Sequence, residues 1–440
     1  MRKLKTACLF LQMFIGLMLA GCAGGDGVDQ ITGIQKISAA VTSSGTGTIW
    51  YVDMNASPGG NGTSWATAFN TIEAVSQQFQ QSAPDYADYE VWIKEGTYNL
   101  SAPFYVNNRT RIYGGFAGNE TSLEQRDWIK HITVINGQDQ FQGIKTGRSG
   151  TSLTVDGLQI THCVDGAISK WSLGGWLIVM NCTIADNSGG TAVNINETPM
   201  FLIANCDFKN NTDGGAISTE TNSTGSIDGC TFTNNHSVSS GGAIRGHAIN
   251  VINSIFIGNK AEIIGGAISL ERGLHTLVNC LFKNNYAGQY GGAANVPFVG
   301  RGYFTNCTFV GNSAGVAGGA LYNNAGWSDN YPQLFVANSI LWGNSPDQIG
   351  EDYAGAAVAT YSDITGCFPG IGNINAKPKF SINDYHLLPG SPCIDTGILT
   401  AQYLPLTDFK GNPRVIGGEP DMGYLEFPRL NALVMETDVE

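Results

Sequence analysis

A four-residue phrase recurs along the middle of this chain and limits what it can fold into more than any other feature. It stands at Asn181-Cys182-Thr183-Ile184, Asn205-Cys206-Asp207-Phe208, Gly229-Cys230-Thr231-Phe232, Asn253-Ser254-Ile255-Phe256, Asn279-Cys280-Leu281-Phe282, Asn306-Cys307-Thr308-Phe309 and Asn338-Ser339-Ile340-Leu341. The last residues of successive copies lie 24, 24, 24, 26, 27 and 32 positions apart. Three residues beyond each copy stands an Asn, and a Gly-Gly-Ala phrase begins at Gly214, Gly241, Gly265, Gly291 and Gly318. A period of this length requires a solenoid or an array of stacked units.

The unit must be built of strands. Cys and Phe fall on one parity of short alternating stretches, bounded by Asn and Gly, and Ala, Leu, Glu and Lys are too sparse for helices. Only 13% of residues are charged, and 58 are Gly. Two or three strands per turn would stack like residues about 4.8 Å apart, the spacing of neighbouring strands. Cys, Phe and Ile then form interior columns. Asn suits the bends, because it tolerates left-handed backbone and can hydrogen-bond the next Asn in its stack, while Gly-Gly permits the reversal. A leucine-rich horseshoe would need a recurring L-x-x-L-x-L frame and a calcium-binding roll a recurring G-G-x-G-x-D; neither recurs in these repeats. The expected fold is all-β, a parallel β-helix.

The two ends carry other signals. Arg2, Lys3 and Lys5 precede an apolar run from Ala7 to Met18 and then Leu19-Ala20-Gly21-Cys22. This reads as a signal peptide over residues 1–21, with Cys22 as the lipid-attachment residue, so that acyl chains hold the mature chain to a membrane. Residues 22–48 read as a flexible tether. The formal charge is −13, and becomes −16 without the three N-terminal cations, which argues against nucleic acid as a partner. No later stretch reaches the roughly 18 apolar residues needed to span a bilayer. Cys163, Cys182, Cys206, Cys230, Cys280 and Cys307 read as small buried side chains, five of them in one repeat frame; Cys367 and Cys393 could form a single bond.

The F-x-x-N phrases (Phe208 to Asn211, Phe232 to Asn235, Phe256 to Asn259, Phe282 to Asn285, Phe309 to Asn312), together with G-G-A-[ILV], resemble the polymorphic outer-membrane protein repeat of chlamydiae over roughly residues 160–345. The wider chain is similar to right-handed β-helix lipoproteins of bacterial surfaces, through Tyr51-Val52-Asp53, Gly62 to Trp65, Tyr113 to Phe116, Asp395 to Gly397 and Asp421 to Tyr424. The resemblance implies a right-handed parallel β-helix and a location at the bacterial outer membrane or cell surface. It implies no reaction. The polymorphic proteins end in an outer-membrane barrel, whereas no amphipathic strand series follows residue 427 here, so the lipid anchor is expected to replace self-translocation.

Both ends of a β-helix need covering. Residues 49–140 read as an N-terminal cap and first coils, with Phe69, Ile72, Val75 and Phe79 at helical spacing. Residues 141–365 are the repeats, 366–427 a Pro- and Gly-rich C-terminal cap, and 428–440 a tail.

No zinc-protease helix or phosphate-loop motif is present. Glu220, His247 and Glu271 share one offset, six residues after the first Gly of each Gly-Gly, and should point outward on consecutive turns. Arg245 and Arg272 flank them. Carboxylate, imidazole, carboxylate and guanidinium suit proton abstraction beside a neutralised uronate, the logic of a polysaccharide lyase, with the flanking carboxylates raising the His pKa. The same groups suit a cation, or are ordinary solvated cross-strand pairs. Trp171, Trp176, Tyr322, Trp327 and Tyr331 form a second candidate surface, for stacking on sugars. Asp53, Asn55 and Asn61 could surround calcium or make Asx turns. The resulting expectation is a surface-anchored lipoprotein whose long face binds glycan or cell surfaces, with polysaccharide lyase and structural spacer as alternatives.

Overall fold

The computed structural model describes residues 47–81, 87–147, 149–171, 173–296, 299–324, 333–352, 357–381 and 383–428. Cys22, Trp327 and Tyr331 lie outside them. The chain winds into a parallel β-helix with three long faces, of 12, 11 and 10 strands, and a short four-stranded ribbon. One turn runs from Trp176–Met180 on the first face, through Thr183–Ala185 on the second, to Val193–Asn196 on the third. The next turn opens at Met200–Ala204, paired in parallel with Trp176–Met180 residue for residue.

The corners explain the recurring phrase. The first residue of each copy takes left-handed backbone, with φ of 52° at Asn181, 53° at Asn205 and 63° at Gly229, which turns the strand from the first face to the second. Its following Cys or Ser points into the core. There Cys206 Sγ donates to the Ala204 carbonyl at 3.2 Å and Ser254 Oγ to Ile252 at 2.8 Å. Burial pushes the Cys182, Cys206 and Cys280 thiols well above their ordinary pKa, so the column is inert packing. Phe208, Phe232, Phe256, Phe282 and Phe309 stack on the second face with centroids 4.7–4.9 Å apart and planes within 6° of one another. At the next corner Asn187, Asn211, Asn235, Asn259, Asn285, Asn312 and Asn344 form a buried ladder. Gln348 closes it, accepting from Asn344 Nδ2 at 2.7 Å.

The Gly-Gly phrase has a steric cause. A β-carbon on Gly266 would lie 2.1 Å from the Gly292 carbonyl oxygen, and one on Gly292 would lie 2.2 Å from that of Gly319. Successive turns touch backbone to backbone there.

At the N-terminal end an amphipathic helix, Ile72–Gln81, buries Ile72, Val75 and Phe79; it is the only α-helix among the described residues. It covers the open edge of the third face, where Ser76 Oγ accepts from the Tyr105 backbone at 3.0 Å. The C-terminal residues do more than cover the far end. Ile374 pairs with the last turn through Ser362 and Ile364, but the chain over residues 383–428 runs back along the corner between the first and second faces. Asn306 Nδ2 donates to the Asp421 carbonyl at 3.0 Å, Asn338 Nδ2 to Ile398 at 3.1 Å, and the Tyr424 amide to Thr308 Oγ1 at 3.2 Å. Arg414, fully buried, anchors this strap through Glu426 at 2.9 Å and through Asn279 Oδ1. The late corner Asn residues thus turn outward to hold the strap. Cys367 and Cys393 are both free thiols: Cys393 is buried against Asp363 Oδ2 at 3.2 Å, while Cys367 is exposed beside Asn375.

Candidate functional site

Glu220, His247 and Glu271 lie where the repeat offset puts them. Ile217–Thr219, Ile244–Gly246 and Ile268–Leu270 are successive strands of the third face, with Ser218, Arg245 and Ser269 opposite one another. Each of the three candidates follows immediately after its strand, half-buried, at the rim where the third face bends toward the first.

Their chemistry differs from the expectation. Burial is the largest influence on His247 and lowers its pKa; the nearby Glu271 and Glu220 raise it, while Arg245 and Arg272 lower it. The imidazole is therefore neutral at pH 7. The Arg245 guanidinium is engaged by Glu271, Nε to Oε1 at 3.2 Å, in a pair whose Arg side chain is 50% exposed. That leaves exposed Arg272 as the remaining cation of the strip. The Glu271 carbonyl accepts from His275 Nε2 at 2.9 Å, which ties this rim to the core. No group of three or more His, Cys, Asp or Glu that could hold a metal is present among the described residues. Near the N-terminus, Asp53 accepts from the Asn55 amide at 2.9 Å and pairs with Lys94 at 2.8 Å, and Asn61 accepts from the Thr63 amide at 3.1 Å: both are Asx turns.

The aromatic candidates do not form one surface. Trp171, the last residue of the third-face strand Ile168–Trp171, is 59% exposed. Trp176 lies half-buried on the outer side of the first face, 5.8 Å below the Arg109 guanidinium. Tyr322 is on the third face, six strands from the strand of Trp171, or about 29 Å at the spacing of neighbouring strands. Its ring is buried against Tyr290 with centroids 4.4 Å apart, and its hydroxyl donates to Asp352. It is a packing residue.

A different set of rings comes together on the outer side of the first face. Tyr303 and Phe335 are opposite one another on the strands Gly300–Thr305 and Leu334–Ala337, with centroids 4.6 Å apart and planes at 7°. Tyr403, on the strap, meets Tyr303 edge-on at 5.2 Å. Between the sheet and the strap opens a cleft of about 380 Å³, bordered by Tyr303, Phe335, Val358, Tyr361 and Gln402. The sequence held half of this signal. Tyr303 and Phe335 each stand three residues before a corner Asn, Asn306 and Asn338, and so on the parity opposite to buried Phe304 and Val336. The contribution of the strap, nearly a hundred residues away in sequence, left no periodic trace.

Fold and faces together define a parallel β-helix repeat protein. Two of its stretches, residues 229–246 and 306–324, match the Chlamydia polymorphic membrane protein repeat. These matches contain the stacked Phe, the ladder Asn and the Gly pair, which build the scaffold. Among solved structures the chain is similar to the pectate lyase Pel9A, with a TM-score of 0.51 and 14% identity over 88% of this chain and 98% of that one. It is also similar to a rhamnogalacturonan lyase, with a TM-score of 0.43 and 14% identity over 76% of this chain and 90% of that one. At such identities the likeness is one of fold. No curated protein matches the sequence.

Proposed function

We propose that this protein is a surface lipoprotein, anchored by acyl chains on Cys22, whose β-helix presents its outer faces for binding glycan or cell surfaces. The match to the polymorphic membrane protein repeat supports a surface location, and the basic, apolar, Leu19-to-Cys22 leader supports the anchor. The observation that carries the binding reading is the cleft beside the Tyr303–Phe335 ring stack: open, apolar-walled and edged by hydroxyl and amide groups, as carbohydrate sites are. Catalysis is the weaker reading, because the Arg245 of the strip is already paired with Glu271 and is not free to neutralise a uronate. A glycan array probed with the full chain tests the proposal. Retention on a defined set of glycans is expected; retention on none contradicts it. Radiolabelled fatty acid incorporated by the parent but not by Cys22→Ala tests the anchor.

A further inference from the structure

We propose that the cleft beside Phe335 takes a neutral saccharide, one pyranose ring continuing the Tyr303–Phe335 row; this rests on the reading of the outer face as a glycan-binding surface. Thr276, Tyr303, Phe335 and Val358 occupy one outward row, rung after rung, on the first face. Rings 4.6 Å apart and within 7° of parallel are stacked face to face, so each covers one face of the other. The second face of Phe335 looks along the solenoid to the next rung. There the row supplies only Val358, 38% exposed, and the cleft opens. An aliphatic side chain stands where the row's geometry has room for a third ring.

A pyranose fits that position chemically. One of its faces is a sheet of C–H groups suited to Phe335, and its rim is hydroxyl. Thr360 lies two residues beyond Val358 on the same strand and the same side, and Thr400 and Gln402 approach from the strap. They bring two hydroxyls and an amide to the rim, as sugar recognition requires. The cleft volume of about 380 Å³ falls in the range of small-ligand sites. Charge sets the class. None of the described residues that border the cleft is charged, on a chain whose formal charge is −13. A uronate polymer would enter without a cation to neutralise it, so the ligand is a neutral sugar.

Calorimetric titration of the full chain with neutral gluco-, xylo- and manno-oligosaccharides, an oligogalacturonate and a short apolar peptide tests this. The variants are Phe335→Ala, which removes the platform, and Val358→Phe, which puts a ring in register where Val358 leaves room and keeps the core untouched. Val316→Ser, exposed on a different side, is the control. At least one neutral oligosaccharide should bind, weakened by about tenfold or more in both variants, the loss of one ring contact, and unchanged in the control. Equal or tighter binding of the oligogalacturonate or the peptide overturns the inference, as does neutral-sugar binding indifferent to Val358→Phe. If the array retains glycans equally with both variants, this site falls and the surface-binding proposal stands. If the parent retains no glycan at all, both fall.

Discussion

Asn235 Nδ2 donates to Asn259 Oδ1 at 2.9 Å, and the same Asn259 oxygen accepts the Asn235 backbone N–H at 3.0 Å. One amide oxygen thus satisfies two buried donors of the turn before it, and the pattern repeats from Asn187 to Asn344. Each ladder Asn also donates to a backbone carbonyl, Asn235 to Phe208 at 3.1 Å. The corner therefore has no need of water, although its backbone leaves the sheet.

Asn235→Ala should consequently be costly. It strands the Asn211 amides, the Phe208 carbonyl and one acceptor site of Asn259 in a buried corner, for a loss of about 3 kcal/mol or more. Urea denaturation should show the shift. A loss below about 1 kcal/mol would mean that water enters and replaces the amide.

His275 makes stability depend on pH. It is fully buried, with Nδ1 accepting from the Ile249 amide at 3.3 Å and Nε2–H donating to the Glu271 carbonyl, so the ring is neutral; burial, the largest cause, pushes its pKa down to about 4. The unfolded chain binds a proton near pH 6.5 and the folded chain does so only near 4. Stability is thus full above about pH 6.5 and falls as pH drops toward 4, by roughly 3 kcal/mol at most. His275→Gln should flatten the unfolding midpoint across that window. An unchanged slope in the variant would contradict the assignment.

Lys170 pairs in register with Ile195 on the third face, on the inward parity, and is fully buried; its Nζ donates to the Gly174 carbonyl at 3.0 Å. Burial lowers its pKa to about 8. Lys170→Met removes the donor to the Gly174 carbonyl, so it should lower stability by about 1–3 kcal/mol at pH 7, read by chemical denaturation. An unchanged or raised midpoint would show that the buried ammonium contributes nothing net.

Arg245, half exposed, pairs at the rim with the partly buried Glu271. Arg245→Ala should change stability by less than about 1 kcal/mol, measured by chemical denaturation. A larger loss would mean that the strip is structural.

The scaffold was legible because periodic packing writes itself into sequence. A Phe that stacks on a Phe must recur at the length of the turn, as Phe232 and Phe256 do, and a corner that needs left-handed backbone selects Asn or Gly each time. Register likewise placed Glu220, His247 and Glu271 together. Register does not give burial, so the fall in the His247 pKa could not be read, whereas the pairing of Arg245 with Glu271 is the cross-strand pair that the spacing allows. The aromatic residues were harder. Spacing puts Tyr322 on an outward rung but does not show that Tyr290 covers its ring, and the cleft of Tyr303 and Phe335 exists only where Tyr403 and Gln402 of the strap fold back. Arg414 reaching Asn279 is a contact between residues 135 positions apart, outside any repeat frame.

The most direct test incubates the full chain with a neutral polysaccharide and with polygalacturonate, following protein that co-sediments with polymer and ultraviolet absorbance from unsaturated uronides. Co-sedimentation with the neutral polymer and a flat absorbance trace on both are the predicted result. Rising absorbance on polygalacturonate that disappears in His247→Ala would contradict it and make the protein a lyase.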